Sequence, residues 1–183
     1  PNIHFKYIYY YDVREDDSLF FKRFKNMSVQ QVAQKSIRFL GMRSSMFKDP
    51  SAIRRIIDLS GEGKRLVMEL EYKGKKAFLR TYEDPQVWPG QMHFSAVFKR
   101  LARASVPSVL FTTGHYERSP YKTGEREYAF HTLHKLSRTA LLNLGLDVDT
   151  ISLTDKDIPA TATILVVPDP KMEFSEIEKP KIA

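Results

Sequence analysis

The stretch Ser108-Val109-Leu110-Phe111-Thr112-Thr113-Gly114-His115-Tyr116-Glu117 decides how this chain is read. It begins as a short run of β-formers, Val109 to Phe111, and breaks at Gly114. Past Pro120 and Gly124 it leads into a long helical spacing. Strand, glycine turn and helix in that order is how open α/β sheets place polar groups at their carboxyl edge, where ligands sit. Thr112, Thr113, Gly114, His115 and Glu117 are therefore the candidate ligand-binding residues, with hydroxyl, imidazole and carboxylate groups for a polar ligand such as a sugar. The plainer alternative gives Gly114 to the turn, and His115 and Glu117 to holding the loop or a neighbouring domain.

Downstream, Ala129, Leu133, Leu136, Ala140 and Leu144 form an apolar stripe widened by Phe130 and Leu141. That spacing predicts a helix over 125–144, ended by Gly145. Val148 to Leu153 and Ile164 to Val167 read as strands, the second closed by Pro168-Asp169-Pro170. Ser175 with Glu178 is a capping-box pattern announcing a further helix. Residues 108–183 thus read β-α-β-β-α, a partial flavodoxin-like parallel sheet cut before its later strands.

Upstream, Ile3 to Tyr11 alternates as an aromatic strand, and Asp12 to Asp17 is a charged turn. Ser18 is placed to cap a short helix over 19–24, and Ser28 a longer one ended by Gly41. Asp49-Pro50 opens a third helix that carries Ile53, Ile56, Ile57 and Leu59. Arg65 to Tyr72 and Ala77 to Tyr82 alternate about Lys73-Gly74-Lys75 as a hairpin. Pro85 and Pro89 bound a loop around the only tryptophan, Trp88, read as packing down over the core. Phe94, Val97, Phe98, Leu101 and Ala104 predict an amphipathic helix. The whole is expected to be α/β: an N-terminal α+β unit over 1–107, thioredoxin-like in order, then the flavodoxin-like unit.

A chain of 183 residues, 42% apolar and 28% charged, has material for a real core. With no cysteine it has no disulfide, thiolate metal site or cysteine nucleophile, which is neutral on compartment. No stretch approaches the roughly 20 apolar residues that cross a bilayer as a helix. A start on Pro1 in mid-strand is expected of an excised fragment, with any targeting or membrane segment outside it. The net charge of +7 is uneven: residues 1–107 hold 20 Lys and Arg against 11 Asp and Glu, residues 108–183 hold 9 against 11.

The second half resembles a known family. Val109-Leu110-Phe111-Thr112-Thr113-Gly114-His115-Tyr116-Glu117 is similar to the strand and Gly-His-x-Glu opening of the auxiliary domain of gliding-motility-type ABC transporters. The same order continues through Leu141-Leu142-Asn143-Leu144-Gly145, Val148 to Leu153, Ile158-Pro159, Ile164 to Pro168 and Ser175 to Glu178. The resemblance implies a non-catalytic, extracytoplasmic (periplasm-facing) domain of a membrane-anchored auxiliary component, soluble as a fragment. It implies other transporter subunits as partners, a carbohydrate ligand, and a flavodoxin-like or amidotransferase-like sheet. Tyr116 departs from the small residue usual after the histidine, and the family's downstream Gly-Gly segment is absent.

Other chemistry has thinner support. A hydrolase of amidotransferase or esterase type would need a nucleophile elbow at the turn, where Gly114-His115 stands and Ser119 lies beyond without the flanking glycines. The three spaced glycines of a dinucleotide fingerprint are missing. His131 and His134 are three apart on the expected helix, but no third ligand accompanies them, so a solvated flank is expected. Lys22, Arg23, Lys25, Arg54, Arg55, Lys73, Lys75, Lys76, Lys99, Arg100 and Arg103, with Tyr7, Tyr9, Tyr10 and Tyr11, are the ingredients of nucleic-acid binding. No recognition motif joins them, and a surface near anionic lipid or a partner explains the charge equally well. No cofactor, metal or nucleic acid is expected.

Overall fold

The computed structural model describes residues 4–103 and 105–182, so the expectations for Ile3 and Ala104 lie outside the described residues. The chain is α/β and divides into two compact units, Pro1–Arg65 and Leu66–Ala183. The division falls at residue 65, not after 107 as expected, because the hairpin and the helix after it build one body with the parallel sheet.

In the first unit, β1 (Tyr9–Tyr10) pairs in parallel with β2 (Phe47–Lys48). The expected strand from Ile3 is reduced to those two residues, and the rings of Phe5 and Tyr7 are largely exposed rather than core. Helix α1 (Ser18–Arg23) is capped by Asp17, whose carboxylate accepts from the Phe20 N–H, so Ser18 lies inside the helix. Helix α2 (Val29–Phe39) has the complete capping box: Ser28 Oγ accepts from Gln31 N–H at 3.1 Å and Gln31 Oε1 from Ser28 N–H at 2.8 Å. Helix α3 (Pro50–Arg54) starts as expected at Asp49-Pro50 but ends early, burying Ile53 and leaving Ile56 exposed. Among the described residues of this unit, Ala33, Ile37, Ile53 and Leu59 are the buried apolar ones.

In the second unit, β3 (Val67–Tyr72) and β4 (Lys75–Arg80) form the expected antiparallel hairpin, Leu70 opposite Ala77 and Met68 opposite Leu79. Lys73 (φ 50°) and Gly74 (φ 76°) at its tip are both left-handed, as a type I′ turn requires. The hairpin pairs with no other described strand, so residues 1–107 hold two separate two-stranded ladders, not one thioredoxin-like sheet. Helix α4 (Gln91–Ala102) lies on the hairpin, and Ala77, Leu79, Val97 and Leu101 close a core with Met68 and Leu70. Trp88 is largely exposed, contrary to expectation; its loop is held by its carbonyls, Val87 O accepting from the Tyr82 N–H at 2.8 Å and Trp88 O from the Arg138 guanidinium at 3.1 Å.

Strands β5 (Ser108–Thr112), β6 (Asp147–Ile151) and β7 (Ala162–Val166) make a parallel sheet in the order β6-β5-β7. The first strand is central, as in the doubly wound flavodoxin-like order. Leu110, Ile151 and Leu153 pack beneath Ile158, Leu165, Phe174 and Ile182, the last on α6 (Lys179–Ile182). Gly145 (φ 84°) lets the chain approach α4 so closely that a Cβ there would meet Ala96 Cβ at 3.0 Å. Arg100 of α4 also pairs with Asp147 at 2.7 Å.

The long helix expected over 125–144 is absent. A single turn, α5 (Ala129–Thr132), and a 3-10 turn over Leu141–Leu144 stand in its place. Polar side chains take the carbonyls a helix would use: Asn143 Nδ2 donates to Lys135 O at 3.0 Å and Ser137 O at 2.9 Å, and His93 Nε2 lies 3.1 Å from Arg138 O. Thr132 Oγ1 donates to Pro120 O at 2.6 Å, and the Arg138 guanidinium is drawn out to Asp84. The apolar spacing was real, and Ala129 and Ala140 are buried, but turns carry it.

Candidate binding edge at the end of β5

Past Thr112 the central strand makes one more ladder bond, Thr113 N–H to Ile151 O at 2.9 Å, and then leaves the sheet. Gly114 (φ 120°) turns the backbone in a conformation that glycine tolerates. The His115 N–H donates to Glu117 Oε2 at 2.6 Å, and the His115 carbonyl accepts from Lys171 N–H at 2.8 Å. The Arg118 N–H donates to Pro168 O at 3.0 Å, while its guanidinium reaches Asp169 at 2.7 Å. The turn is thus sewn to the segment after β7 through both main chain and side chains.

The turn inverts the expected roles. Thr112, His115 and Glu117 point inward and are buried; Thr113 and Gly114 face solvent. Against His115 lies Glu178, which the sequence assigns only to a helix cap. Its Oε1 accepts from Thr154 Oγ1 at 2.8 Å; its Oε2 accepts from Ser175 N–H at 2.9 Å and Ser175 Oγ at 2.7 Å. His115 Nε2 stands 3.2 Å from the same oxygen, and the ring packs on Phe174 at 4.4 Å. The Ser175 hydroxyl and amide, then the Thr154 hydroxyl, push the Glu178 carboxyl down to about 2, with His115 adding least.

On its other side, His115 Nδ1 faces Glu117 Oε1 at 3.6 Å, too far for a hydrogen bond. Both atoms, and Thr112 Oγ1, are buried without a hydrogen-bond partner. The cluster holds two carboxylates about a single ring. It is a wedge under the turn, and the side chain it sets outward is Tyr116, left-handed (φ 59°) and 77% exposed.

For hydrolysis, Ser119 has its Oγ engaged as acceptor of the Tyr121 N–H at 3.1 Å. His131 and His134 both pack against the Phe130 ring, and no group of three His, Asp or Glu among the described residues could hold a metal. A cavity of about 120 Å³ lies between the hairpin, α4 and Leu142–Asn143, and another of about 220 Å³ in the first unit beside Asp12, Arg54 and Lys64; residues 112–117 line neither. Tyr116, Phe174 and Glu178 were missed by sequence reasoning, and only the Ser175-x-x-Glu178 spacing pointed to any of them. No described helix is long and apolar enough to cross a membrane. The chain matches no family model, no curated protein and no solved structure.

Proposed function

We propose that this chain is a non-catalytic binding module, an extracytoplasmic part of a membrane-anchored auxiliary component in an ABC-type transport system. Its binding edge is the outward rim Thr113-Gly114-Tyr116, and its ligand is a glycan or a partner subunit of the transporter. The observation that carries the reading is Tyr116: a bulky side chain in a left-handed conformation, exposed, on a turn fixed from below by His115, Glu117 and Glu178. Such a conformation costs on the order of 1 kcal/mol and tends to be kept where a site needs it. An exposed phenol ring beside a threonine hydroxyl and an open glycine suits the apolar face and hydroxyls of a sugar.

The test is a titration of 15N-labelled protein with neutral and acidic oligosaccharides, followed by NMR. Saturable shifts centred on Thr113–Tyr116 and lost in Tyr116→Ala support the glycan reading. A set of sugars that leaves these amides unmoved, together with partner co-purification unaffected by Tyr116→Ala, would remove the edge from the function.

A further inference from the structure

A second surface of the same unit carries cations without described counter-charge. The hairpin tip and the C-terminal end of α4 are joined by Lys75 Nζ, which donates to Arg103 O at 2.7 Å. Around that bond stand Lys73, Lys75, Lys99 and Arg103, all exposed, and none pairs with an acidic side chain among the described residues. Lys76 differs: it points to the opposite face of the hairpin and pairs with Glu69 at 2.7 Å. Arg100 is likewise committed to Asp147.

Apolar rings accompany these cations. Helix α4 turns His93, Ala96, Val97 and Leu101 inward, which leaves Phe94 and Phe98 outward as an i, i+4 pair with ring centroids 6.4 Å apart. Phe98 is 52% exposed, and Tyr72 at the hairpin tip is 50% exposed with the Lys73 ammonium 5.4 Å from its ring centre. Lys73 occupies a left-handed turn position where asparagine or glycine is favoured, so its charge stands at a backbone cost.

We infer that this end of the second unit docks on an anionic membrane surface, with Phe98 and Tyr72 entering the headgroup layer and the four cations meeting lipid phosphates. Rings beside unpaired Lys and Arg on the outer face of a helix match what an interfacial element presents. The cavity beside α4, which could seat a peptide side chain, is lined by other side chains than these. The inference does not depend on the Thr113–Tyr116 edge.

The experiment is co-sedimentation of the full chain with vesicles of phosphatidylcholine alone and of phosphatidylcholine mixed two to one with phosphatidylglycerol. Binding is expected only to the anionic vesicles, falling with added salt and by about fivefold for each of Lys73→Asn, Lys99→Gln and Arg103→Gln. Phe98→Ser weakens it further, and Tyr116→Ala leaves it unchanged. Circular dichroism confirms folding, and Lys73→Asn suits the turn better than the native residue does. Equal binding to both vesicles, none to either, or indifference to the charge substitutions overturns the inference. So would tighter binding to a single-stranded oligodeoxynucleotide than to the anionic vesicles, or lipid-free self-association abolished by Phe98→Ser.

Discussion

His115 Nε2 lies 3.2 Å from Glu178 Oε2, a contact that ties the turn after the central strand to a residue 63 positions later. Glu178 accepts three further hydrogen bonds, so it is the fixed member of the pair and His115 rests against it.

The depressed Glu178 carboxyl makes stability depend on acid. With its folded value about 2 against an ordinary 4.5, its contribution is fully present above about pH 4.5 and is lost as pH falls through about 2. Urea unfolding followed against pH should show Glu178→Gln with a lower midpoint than the native chain at pH 6. The two should converge as pH approaches 2. A gap that stays constant down to acid would show that the carboxylate charge is not what holds the contact.

Tyr82 is buried against His93 and Arg138, and burial pushes its phenol up to about 12. Burial also raises the phenols of Tyr10 and Tyr121, but among the nine tyrosines the step near pH 12 in an ultraviolet titration should vanish in Tyr82→Phe. Because the folded value is raised, its contribution to stability is intact below pH 10 and lost as pH climbs through 12. A step near pH 12 that persists in Tyr82→Phe would contradict this assignment.

Gly145→Ala should destabilise the second unit by about 1–2 kcal/mol, from the left-handed conformation and the contact with Ala96. Adding Ala96→Gly removes the Cβ at 3.0 Å but not the backbone strain, so recovery should be partial. Thermal or urea melts of the single and double variants separate the two causes. Full recovery would assign the whole cost to the contact.

Asn143→Leu tests why residues 133–144 are not a helix. It strips the amide from Lys135 O and Ser137 O and removes an acceptor at 3.2 Å from Arg80 Nη1. A loss of about 1–3 kcal/mol is expected for buried groups left without that partner. A rise in helical circular dichroism without that loss would mean that the asparagine merely blocks a helix the sequence otherwise prefers.

What could be read from residue order was what short-range rules govern. The Ser28 capping box, the Asp49-Pro50 start, the Lys73-Gly74 hairpin and β5 with its Gly114 break all depend on neighbours within a few positions, and all are present. The expected helix over 125–144 failed because its apolar spacing matched a helix while Asn143 and His93 took the carbonyls of Lys135, Ser137 and Arg138, and Thr132 turned its hydroxyl to Pro120 O. The domain boundary failed for a related reason: Gly145 and Asp147 meet α4 from far along the chain. At the candidate site, the order of strand, glycine turn and helix put the threonines, His115 and Glu117 on one rim. Gly114 and the left-handed Tyr116 swapped inside for outside, and no sequence rule announced Glu178 as the partner.

The cover that Phe174, Glu178 and Ile182 provide has a consequence during synthesis. These residues leave the ribosome after every strand they protect, since β7 ends at Val166. The first unit, complete by residue 65, can settle early. The apolar side of the parallel sheet stays bare until the chain has been made past residue 182. For that interval Leu110, Ile151 and Leu153 are open to the unwanted contacts that incompletely covered sheets make.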